Sequence, residues 1–495
     1  MGKKFFPKNI LESIDGIVQM EILNNRLSEW IFESKAFDNK SIYLVGGCVR
    51  DILLKRHSQD IDLACFNARQ FANELAKEKK AVCVVMDKKP QVPCFRLVNK
   101  KSPQNYIDIT EIRDDTIESD LKKRDFTINS MAIPLTSGLL KTENIIDVVN
   151  GKEDLEKKVI RQIREDTFID DPLRMLRAFR FSAQLGFSID PDTIKSIQLN
   201  AEKIKTISAE RILFELKLLL RHPDVYEHIE KMDQTGLLSM LFPEIEDLRQ
   251  CQQNAFHHTH VWGHSLEALK AYENLLFELH DHFITTSNKV SSFLNQNDNM
   301  AIIKLACLFH DIAKPDTQKI DDETSRITFY NHDKLGKKQI EKLCDRLKLP
   351  KKNSVFLCTL VDEHLHIRDL LKKKTRNKTV LKNIRKIGET IVAVTILSIA
   401  DNKASCGIQS TPESKKEYFE KAIKFIESYY NDIQPVICRK NLITGKDLIK
   451  CGIQPGPEMG KILNLVREAQ DEGIISSHTQ AIEMVEKLKN SDIKA

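Results

Sequence analysis

The sequence predicts an α+β protein, in which an α/β head is followed by an all-helical remainder. Between Ile42 and Ile133, short runs of β-branched and aromatic residues alternate with segments that carry apolar residues at helical spacing. Farther along the chain, apolar residues recur mainly at helical spacing. The length of 495 residues favours roughly two to four domains over a single core.

The composition is typical of a globular protein that works in water. Hydrophobic residues make up 41% of the chain and charged residues 30%, and no apolar run is long enough for a signal peptide or a membrane span. The 76 Lys and Arg residues, at a net charge of +5, permit basic surfaces that bind nucleic acid. The 11 cysteines are scattered and form no Cys-x-x-Cys pair, which predicts reduced thiols in a cytoplasmic protein.

The head is predicted to hold five strands. Helical spacing over residues 1–40, clearest from Ile17 to Phe37, predicts helices that pack under the sheet. One further helix is predicted at Asn67–Glu78. The predicted strands are Ile42–Val45, Ile61–Ala64, Ala81–Met86, Phe95–Val98 and Tyr106–Ile109.

The first two strands carry the motif on which the functional prediction depends. Gly46 and Gly47 follow the first strand, and two glycines let the backbone turn sharply and approach a ligand. The second strand delivers Asp60 and Asp62, whose side chains point to the same face because they are two residues apart. Paired carboxylates beside a glycine turn predict Mg²⁺-assisted phosphoryl transfer.

Two later segments add polar groups to this site. Asp108 lies among apolar strand residues, and we expect it to serve as a third carboxylate that assists an attacking hydroxyl. Arg124, Asp125 and Asn129 stand at the head of a predicted apolar helix, where they would hold a triphosphate and a ribose.

A third segment predicts base recognition. Asp171 and Pro172 fit the start of a helix, and Arg174 lies three residues after Asp171 on the same face. A carboxylate that accepts from an exocyclic amine and a guanidinium that donates to the ring would select cytosine and adenine. In the alternative interpretation, Asp171 only caps the helix and Arg174 only pairs with a nearby acid.

The charged residues of the next helical segment, Ala209–Leu220, are interpreted as helix-stabilising pairs without a chemical role.

A second set of residues suggests a metal centre on successive apolar helices. Neutral imidazole and carboxylate groups together suit divalent transition metals. The segment Thr285–Asn299 within this region is predicted to be a polar loop. The candidate ligands are His264, His310, Asp311, His332, His364 and Asp401.

Two further features suggest phosphate contacts. One is a basic loop at Lys372–Lys378, and the other is a Gly/Pro turn at Gly452–Gly460 that opens a helix.

Taken in order, these motifs resemble the class II tRNA nucleotidyltransferases and the related poly(A) polymerases. The resemblance implies that Asp60 and Asp62 hold Mg²⁺ and that Asp171 and Arg174 template C and A. The implied nucleotide-binding residues are Gly46, Gly47, Arg50, Arg124, Asp125, Asn129, Asp171, Arg174, Arg177 and Arg180. The sequence departs from the family at Asp170, where the template motif has Glu, and at Lys123, where the ribose motif has Arg.

The histidine-rich set resembles the HD-domain metal phosphohydrolases, a domain that some tRNA nucleotidyltransferases carry. This resemblance implies Ni²⁺, Co²⁺ or Mn²⁺ as metal and a phosphatase or cyclic phosphodiesterase activity. The expected domains are a nucleotidyltransferase head with the N-terminal helices over residues 1–160, a neck with the base-templating helices over 161–225, a helical body with the HD domain over 226–430 and a tRNA-binding helical tail over 431–495.

The expected function is template-independent addition of CCA to tRNA 3′ ends from CTP and ATP by two-metal phosphoryl transfer. Expected partners are tRNA, ATP and CTP, with no membrane. Poly(A) polymerase and a partial enzyme that adds only CC or only A remain alternatives. An alternative of a different class is an HD metal phosphohydrolase whose head only binds RNA. The oligomeric state does not follow from the sequence.

Overall fold

A computed structural model of the protein describes residues 23, 27–37, 40–56, 60–86, 93–112, 114–135, 140, 142–253, 260–323, 326–372, 377–405 and 411–490. The chain forms two compact units, residues 1–243 and residues 244–495. The predicted α+β class is confirmed, because the sheet is confined to the first unit and the second is almost entirely helical.

The head in the first unit is built on a seven-stranded mixed sheet. The strand order is β3-β4-β5-β2-β1-β6-β7, with β2 and β5 parallel and every other neighbouring pair antiparallel. The strands are β1 Ile42–Val45, β2 Asp62–Cys65, β3 Val82–Val85, β4 Cys94–Val98, β5 Tyr106–Glu111, β6 Met131–Pro134 and β7 Ile146–Asp147. The first five strands therefore form where the sequence predicted them.

The two faces of this sheet bury different sets of side chains, because residues alternate along each strand. Helix α2, Ala68–Glu78, covers one face and buries Phe71 and Leu75. A second apolar cluster on the head includes Val45 and Ala64. The helices of the first unit are α1 Gly47–Leu53, α2 Ala68–Glu78, α3 Ile117–Leu121, α4 Gly151–Lys157, α5 Thr167–Asp170, α6 Leu173–Leu185, α7 Pro191–Asn200, α8 Ala209–Leu220, α9 Tyr226–Gln234 and α10 Leu237–Leu241. Short strands β8 Val159–Ile160 and β9 Ser188–Ile189 pair beside them.

The second unit is a helical assembly whose central helices are buried along most of their length. Helices α12 and α21 pack together most extensively, and α15 is apolar on nearly every face. The helices are α11 Glu244–Gln250, α12 Val261–Phe277, α13 Leu279–His282, α14 Ser287–Asn295, α15 Asn299–Phe309, α16 Lys314–Thr317, α17 His332–Arg346, α18 Lys351–Glu363, α19 His366–Lys372, α20 Asn377–Ile387, α21 Thr390–Ala404, α22 Pro412–Ser428, α23 Gln434–Ile437, α24 Gly445–Lys450, α25 Pro457–Asp471 and α26 His478–Asn490. A hairpin of β10 Lys319–Ile320 and β11 Ile327–Thr328 interrupts them. The last three helices enclose a small apolar core of their own.

Two predictions of secondary structure are wrong. The apolar segment after Asn129 is strand β6 and not a helix, since a short apolar run buried on both faces has no periodicity that separates the two. The predicted loop Thr285–Asn299 contains helix α14, whose Val290 and Phe293 are buried at helical spacing. Residues 17–22 and 24–26 of the predicted helical segment Ile17–Phe37, and residues 373–376 of the basic loop at Lys372–Lys378, lie outside the described residues. Within the described part of the chain, no helix combines the length and the apolarity that a membrane span requires.

Candidate active site

Sheet register brings the predicted acids of the head together. In the parallel pair of β2 and β5, Asp62 is the direct partner of Asp108. The Cys48 thiol ties the turn of α1 to this segment, since it donates to the Asp60 carbonyl at 2.6 Å and accepts from the Asp62 amide at 3.3 Å. The Tyr106 hydroxyl donates to the Asp60 carboxylate. The three acids line one cavity of about 620 Å³.

The electrostatics of these acids fit a divalent cation. Burial raises the pKa of Asp62 to about 6, and the negative charges of Asp108 and Asp60 add to the rise. A bound cation would remove this excess of negative charge, and carboxylate oxygens are the ligands that Mg²⁺ prefers. The residues present therefore fit Mg²⁺.

The glycine turn leaves room for one arginine beside the acids. Gly46 has φ 74°, and a Cβ atom there would lie 3.3 Å from Arg124 Nη1 and 3.9 Å from Asp62 Oδ2. The buried Nε of Arg124 has no hydrogen-bond partner among the described residues. A guanidinium with an unused donor next to three acids can bind an anionic group that reaches the acids.

Asp108 is held by a partner that the sequence did not reveal. Arg96 on β4 donates from Nε to Asp108 Oδ1 at 2.8 Å and from Nη2 to Asp108 Oδ2 at 2.7 Å. The Arg96 guanidinium also stacks 4.1 Å from the centre of the Tyr106 ring. Both oxygens of Asp108 are therefore engaged in this state of the molecule.

The predicted ribose motif forms a buried network. Arg177 donates to Asp125 Oδ2 from Nε at 2.9 Å and from Nη2 at 2.6 Å, while Asn129 donates to Asp125 Oδ1 at 3.2 Å. Arg50 donates to Asn129 Oδ1 at 2.8 Å. Burial alone would raise the pKa of Asp125, but Arg177 and these donors lower it to about 2. The network fixes the orientation of the motif beneath the cavity.

Asp171 and Arg174 lie in the same cavity and are engaged by protein groups. Asp171 Oδ1 accepts from the Leu173 amide at 3.2 Å, but the prediction that Asp171 is the N-cap is wrong, because helix α6 begins at Leu173 and Pro172 holds the N-cap position. Arg174 Nη2 donates to the Lys123 carbonyl at 2.9 Å. Arg211 Nη2 pairs with Asp171 Oδ2 at 2.8 Å.

Helix α8 thus supplies site residues to which the sequence interpretation assigned no chemistry. Besides Arg211, it places the buried Glu215 between Arg177 and Arg180, at 3.4 and 2.6 Å. The charges at these positions were visible in the sequence, but their distant partners were not. All thirteen predicted head residues line the cavity, namely Gly46, Gly47, Arg50, Asp60, Asp62, Asp108, Arg124, Asp125, Asn129, Asp171, Arg174, Arg177 and Arg180.

The second unit brings the six candidate metal ligands together as a buried cluster. The ligand atoms of His264, His310 and Asp311 lie within 4.8 Å of one another, and so do those of Asp311, His332 and His364. Asp401 joins them with Oδ1 at 3.0 Å from His264 Nε2.

Three of these imidazoles are held in one tautomer. The Nδ1 atoms of His310, His332 and His364 lie 3.1, 2.6 and 2.7 Å from backbone carbonyls three residues earlier. Because a carbonyl only accepts, each Nδ1 carries the proton, and each Nε2 lone pair faces the cluster. Burial lowers the pKa of His364 to about 3, so this imidazole is neutral at pH 7. Imidazole nitrogens and the Asp311 carboxylate together are ligand types that fit a divalent transition metal.

Two cations, which sequence reasoning did not include, neutralise the acids of this cluster. Lys314 Nζ lies 2.7 Å from Asp311 Oδ2, and Arg368 Nη2 lies 3.4 Å from Asp401 Oδ2. Against the effect of burial, His310 and Lys314 hold the pKa of Asp311 well below its usual value. Arg368 and His264 do the same for Asp401.

Comparisons with known proteins cover nearly the whole chain. Residues 42–161 match the poly(A) polymerase head domain, residues 186–248 match the probable RNA and SrmB binding site of polymerase A, and residues 319–485 match the putative tRNA nucleotidyltransferase domain 2. These matches together span more than half of the chain.

Two relatives match along most of their own length. The A-adding tRNA nucleotidyltransferase of Deinococcus radiodurans is 27% identical and covers 90% of this chain and 94% of the relative. The CC-adding tRNA nucleotidyltransferase of Thermus thermophilus is 25% identical, and the match covers 89% of this chain and 92% of the relative. The structure of the CCA-adding enzyme of Thermotoga maritima in complex with tRNA shares the fold, with a TM-score of 0.58 and 23% identity over 95% of this chain and 98% of that one.

Proposed function

Since this chain belongs to the class II family of CCA-adding enzymes and poly(A) polymerases, we propose that it adds CCA to tRNA 3′ ends from CTP and ATP, without a nucleic-acid template. The observation that carries the proposal is the single cavity that holds three acids, an arginine with an unused donor, and a base-selecting pair. A nucleoside triphosphate needs each of these three kinds of contact.

In this proposal Asp60 and Asp62 are the Mg²⁺ ligands. Two bound Mg²⁺ ions would stabilise charge on the transferring phosphoryl group and lower the pKa of the primer hydroxyl. Arg96 fixes the orientation of the Asp108 carboxylate, which adds negative charge beside the primer. Arg124 binds the triphosphate with the donor that the protein leaves unused.

Base selection is assigned to Asp171 and Arg174. Arg174 donates to backbone carbonyls and Asp171 accepts from Arg211, so a base has to share or exchange these partners. The Asp171 carboxylate accepts from the amine that cytosine and adenine share, and it repels the carbonyl of uracil and guanine. Asp170, which stands where the family's template motif has the longer Glu, pairs with Arg164. Arg164 is not part of the base-selecting pair.

The relatives make a partial enzyme the strongest alternative, because one is named for A addition and the other for CC addition. Three tRNA substrates, ending before C74, after C75 and after A76, separate these outcomes when each is supplied with CTP and ATP and its products are sequenced. A complete enzyme restores CCA on the first two substrates and leaves the third unchanged. Addition of only CC or only A replaces the proposal with the partial enzyme, and long A tails replace it with poly(A) polymerase.

For the buried cluster of the second unit we propose an HD-type metal phosphohydrolase. His264, His310, Asp311, and Asp401 would hold a transition metal such as Ni²⁺, Co²⁺ or Mn²⁺, and His332 and His364 extend the cluster. The metal would supply positive charge that polarises a phosphoryl group. Metal-dependent hydrolysis of phosphate esters that is lost in His310→Ala tests this assignment.

The tail and the cellular location complete the proposal. Pro457 opens helix α25 behind Gly456, and such a helix N-terminus suits a tRNA phosphate. None of the ten described cysteines forms a disulfide, as is typical of cytoplasmic proteins. We therefore place the activity in the cytoplasm, with the head, neck, body and tail bounded as the sequence predicts.

A further inference from the structure

The buried metal-ligand cluster opens into a cavity whose charges can be counted. The cavity has a volume of about 680 Å³ and is bounded on one side by the hairpin of β10 and β11. Among the described lining residues, the carboxylates are Asp311, Asp401 and Glu417, and the cations are Lys314, Arg326, Arg368 and Lys421.

Three of these cations are paired with the three carboxylates. Lys314 pairs with Asp311, Arg368 with Asp401, and Lys421 with Glu417 at 2.6 Å. The pairs at Asp311 and Asp401 are buried, so water screens them little. The carboxylates around the centre are therefore already balanced by protein cations.

Arg326 is the fourth cation of the described lining, and it is not paired with any of these carboxylates. It begins the second arm of the hairpin, next to β11, and its side chain is exposed at the cavity wall. No carboxylate of the described residues lies within ion-pair distance of its guanidinium. Among the described residues that line the cavity, Arg326 is thus a cation without a carboxylate partner, and the lining carries one positive charge that no described carboxylate balances before any metal is bound.

We propose that this cavity selects phosphomonoesters, which are dianions above neutral pH, over phosphodiesters, which carry one negative charge. The inference rests on the proposed phosphohydrolase function of the cluster and names its substrate class. A divalent metal adds positive charge that the protein does not neutralise, and Arg326 adds more. The second negative charge of a monoester is therefore stabilised here. In the reaction, water attacks phosphorus, the P–O ester bond breaks, and the products are inorganic phosphate and the alcohol, which receives the proton.

Binding of two small probes at pH 8 tests the proposal without any turnover. Methyl phosphate is a monoester dianion and dimethyl phosphate is a diester monoanion, and neither carries a base. Calorimetric titration of the full chain, loaded with Ni²⁺, should show that methyl phosphate binds at least about tenfold more tightly than dimethyl phosphate.

Arg326→Gln should weaken methyl phosphate binding several-fold. Lys319→Gln removes an exposed cation from the same hairpin outside the cavity lining and should leave it unchanged. Both variants should bind Ni²⁺ as the wild type does. Equal or tighter binding of dimethyl phosphate, or an Arg326→Gln variant that behaves like Lys319→Gln, would overturn the choice of phosphomonoester. A wild-type chain that binds no Ni²⁺ at this cluster would instead overturn the phosphohydrolase function, and the inference with it.

Discussion

At the scale of single residues, the candidate sites consist of charged groups whose partners lie far away in sequence. Asp171 shows this most clearly, since one oxygen accepts from the nearby Leu173 amide and the other from the distant Arg211. The pair with Arg211 is partly exposed and contributes little to folding. The pair fixes the orientation of the Asp171 carboxylate, which the proposed rejection of carbonyl bases requires.

Arg211→Gln should therefore loosen base selection. Because Asp171 then loses the partner that fixes its orientation, KM for CTP and ATP should rise several-fold, and incorporation of UTP and GTP should increase relative to CTP and ATP. The rate at saturating CTP should change little, since the catalytic acids are untouched. Steady-state kinetics with all four nucleotides check this, with Lys205→Gln, an exposed paired cation outside the cavity, as the control. Unchanged discrimination in Arg211→Gln would show that Arg211 only supports the fold.

The buried Asp125 predicts a specific dependence of stability on pH. Its folded pKa of about 2 lies below the ordinary value of 3.8, so its contribution is fully present above about pH 4 and is lost as the pH falls through 2. That contribution is about 2 kcal/mol. Asp125→Asn should be less stable than the wild type at pH 6, and the difference should shrink toward pH 2. Urea unfolding across this range measures it, and a difference that is independent of pH would contradict the assigned ion pair.

At the scale of elements, the metal-ligand helices of the second unit are tied by a buried ion pair. Lys304 on α15 lies 2.6 Å from Glu273 on α12, and both side chains are almost completely inaccessible. His264 lies on α12, and His310 directly follows the last residue of α15. The pair therefore sets the register in which these two imidazoles meet.

Breaking the ion pair between Lys304 and Glu273 should destabilise the second unit. Lys304→Met leaves the Glu273 charge buried without its cation and should lower the free energy of unfolding of the second unit by about 3–5 kcal/mol. The double variant with Glu273→Met should recover most of that loss. Fluorescence of the buried Trp262, in a Trp30→Phe background, reports unfolding of this unit. A double variant as unstable as the single one would contradict the pairing.

The elements also show what the sequence could predict. Strands β1 to β5 and helix α2 were predicted because alternation and helical spacing are local signals. Strand β6 was predicted as a helix because a short buried apolar run lacks either signal. Arg96, Arg211 and Glu215 were missed because an exposed-looking charge becomes a site residue only through a partner on another element, which spacing does not reveal.

At the scale of the whole molecule, the proposed function assigns two separate chemical centres to this chain. The acids of the head and the histidines of the second unit differ in ligand type, and each cluster is built within its own unit. The two activities should therefore be lost separately.

His310→Ala should abolish transition-metal binding at the second cluster and leave nucleotide addition within about twofold of the wild type. Ni²⁺ titration and nucleotide incorporation on the same sample check both parts, with the exposed His280→Ala as control. Loss of nucleotide addition in a folded His310→Ala protein would contradict the separation of the centres.

The central claim is that the head acids catalyse nucleotide addition to tRNA. The direct measurement is incorporation of CTP and ATP into a tRNA that lacks its CCA end, by the wild type, by Asp62→Asn and by Asp192→Asn, which alters an exposed acid of the same unit. Wild type and Asp192→Asn should restore the CCA end, and Asp62→Asn should be slower by at least about a thousandfold while it stays folded. Incorporation by Asp62→Asn at the wild-type rate, or none by the wild type, would contradict the account.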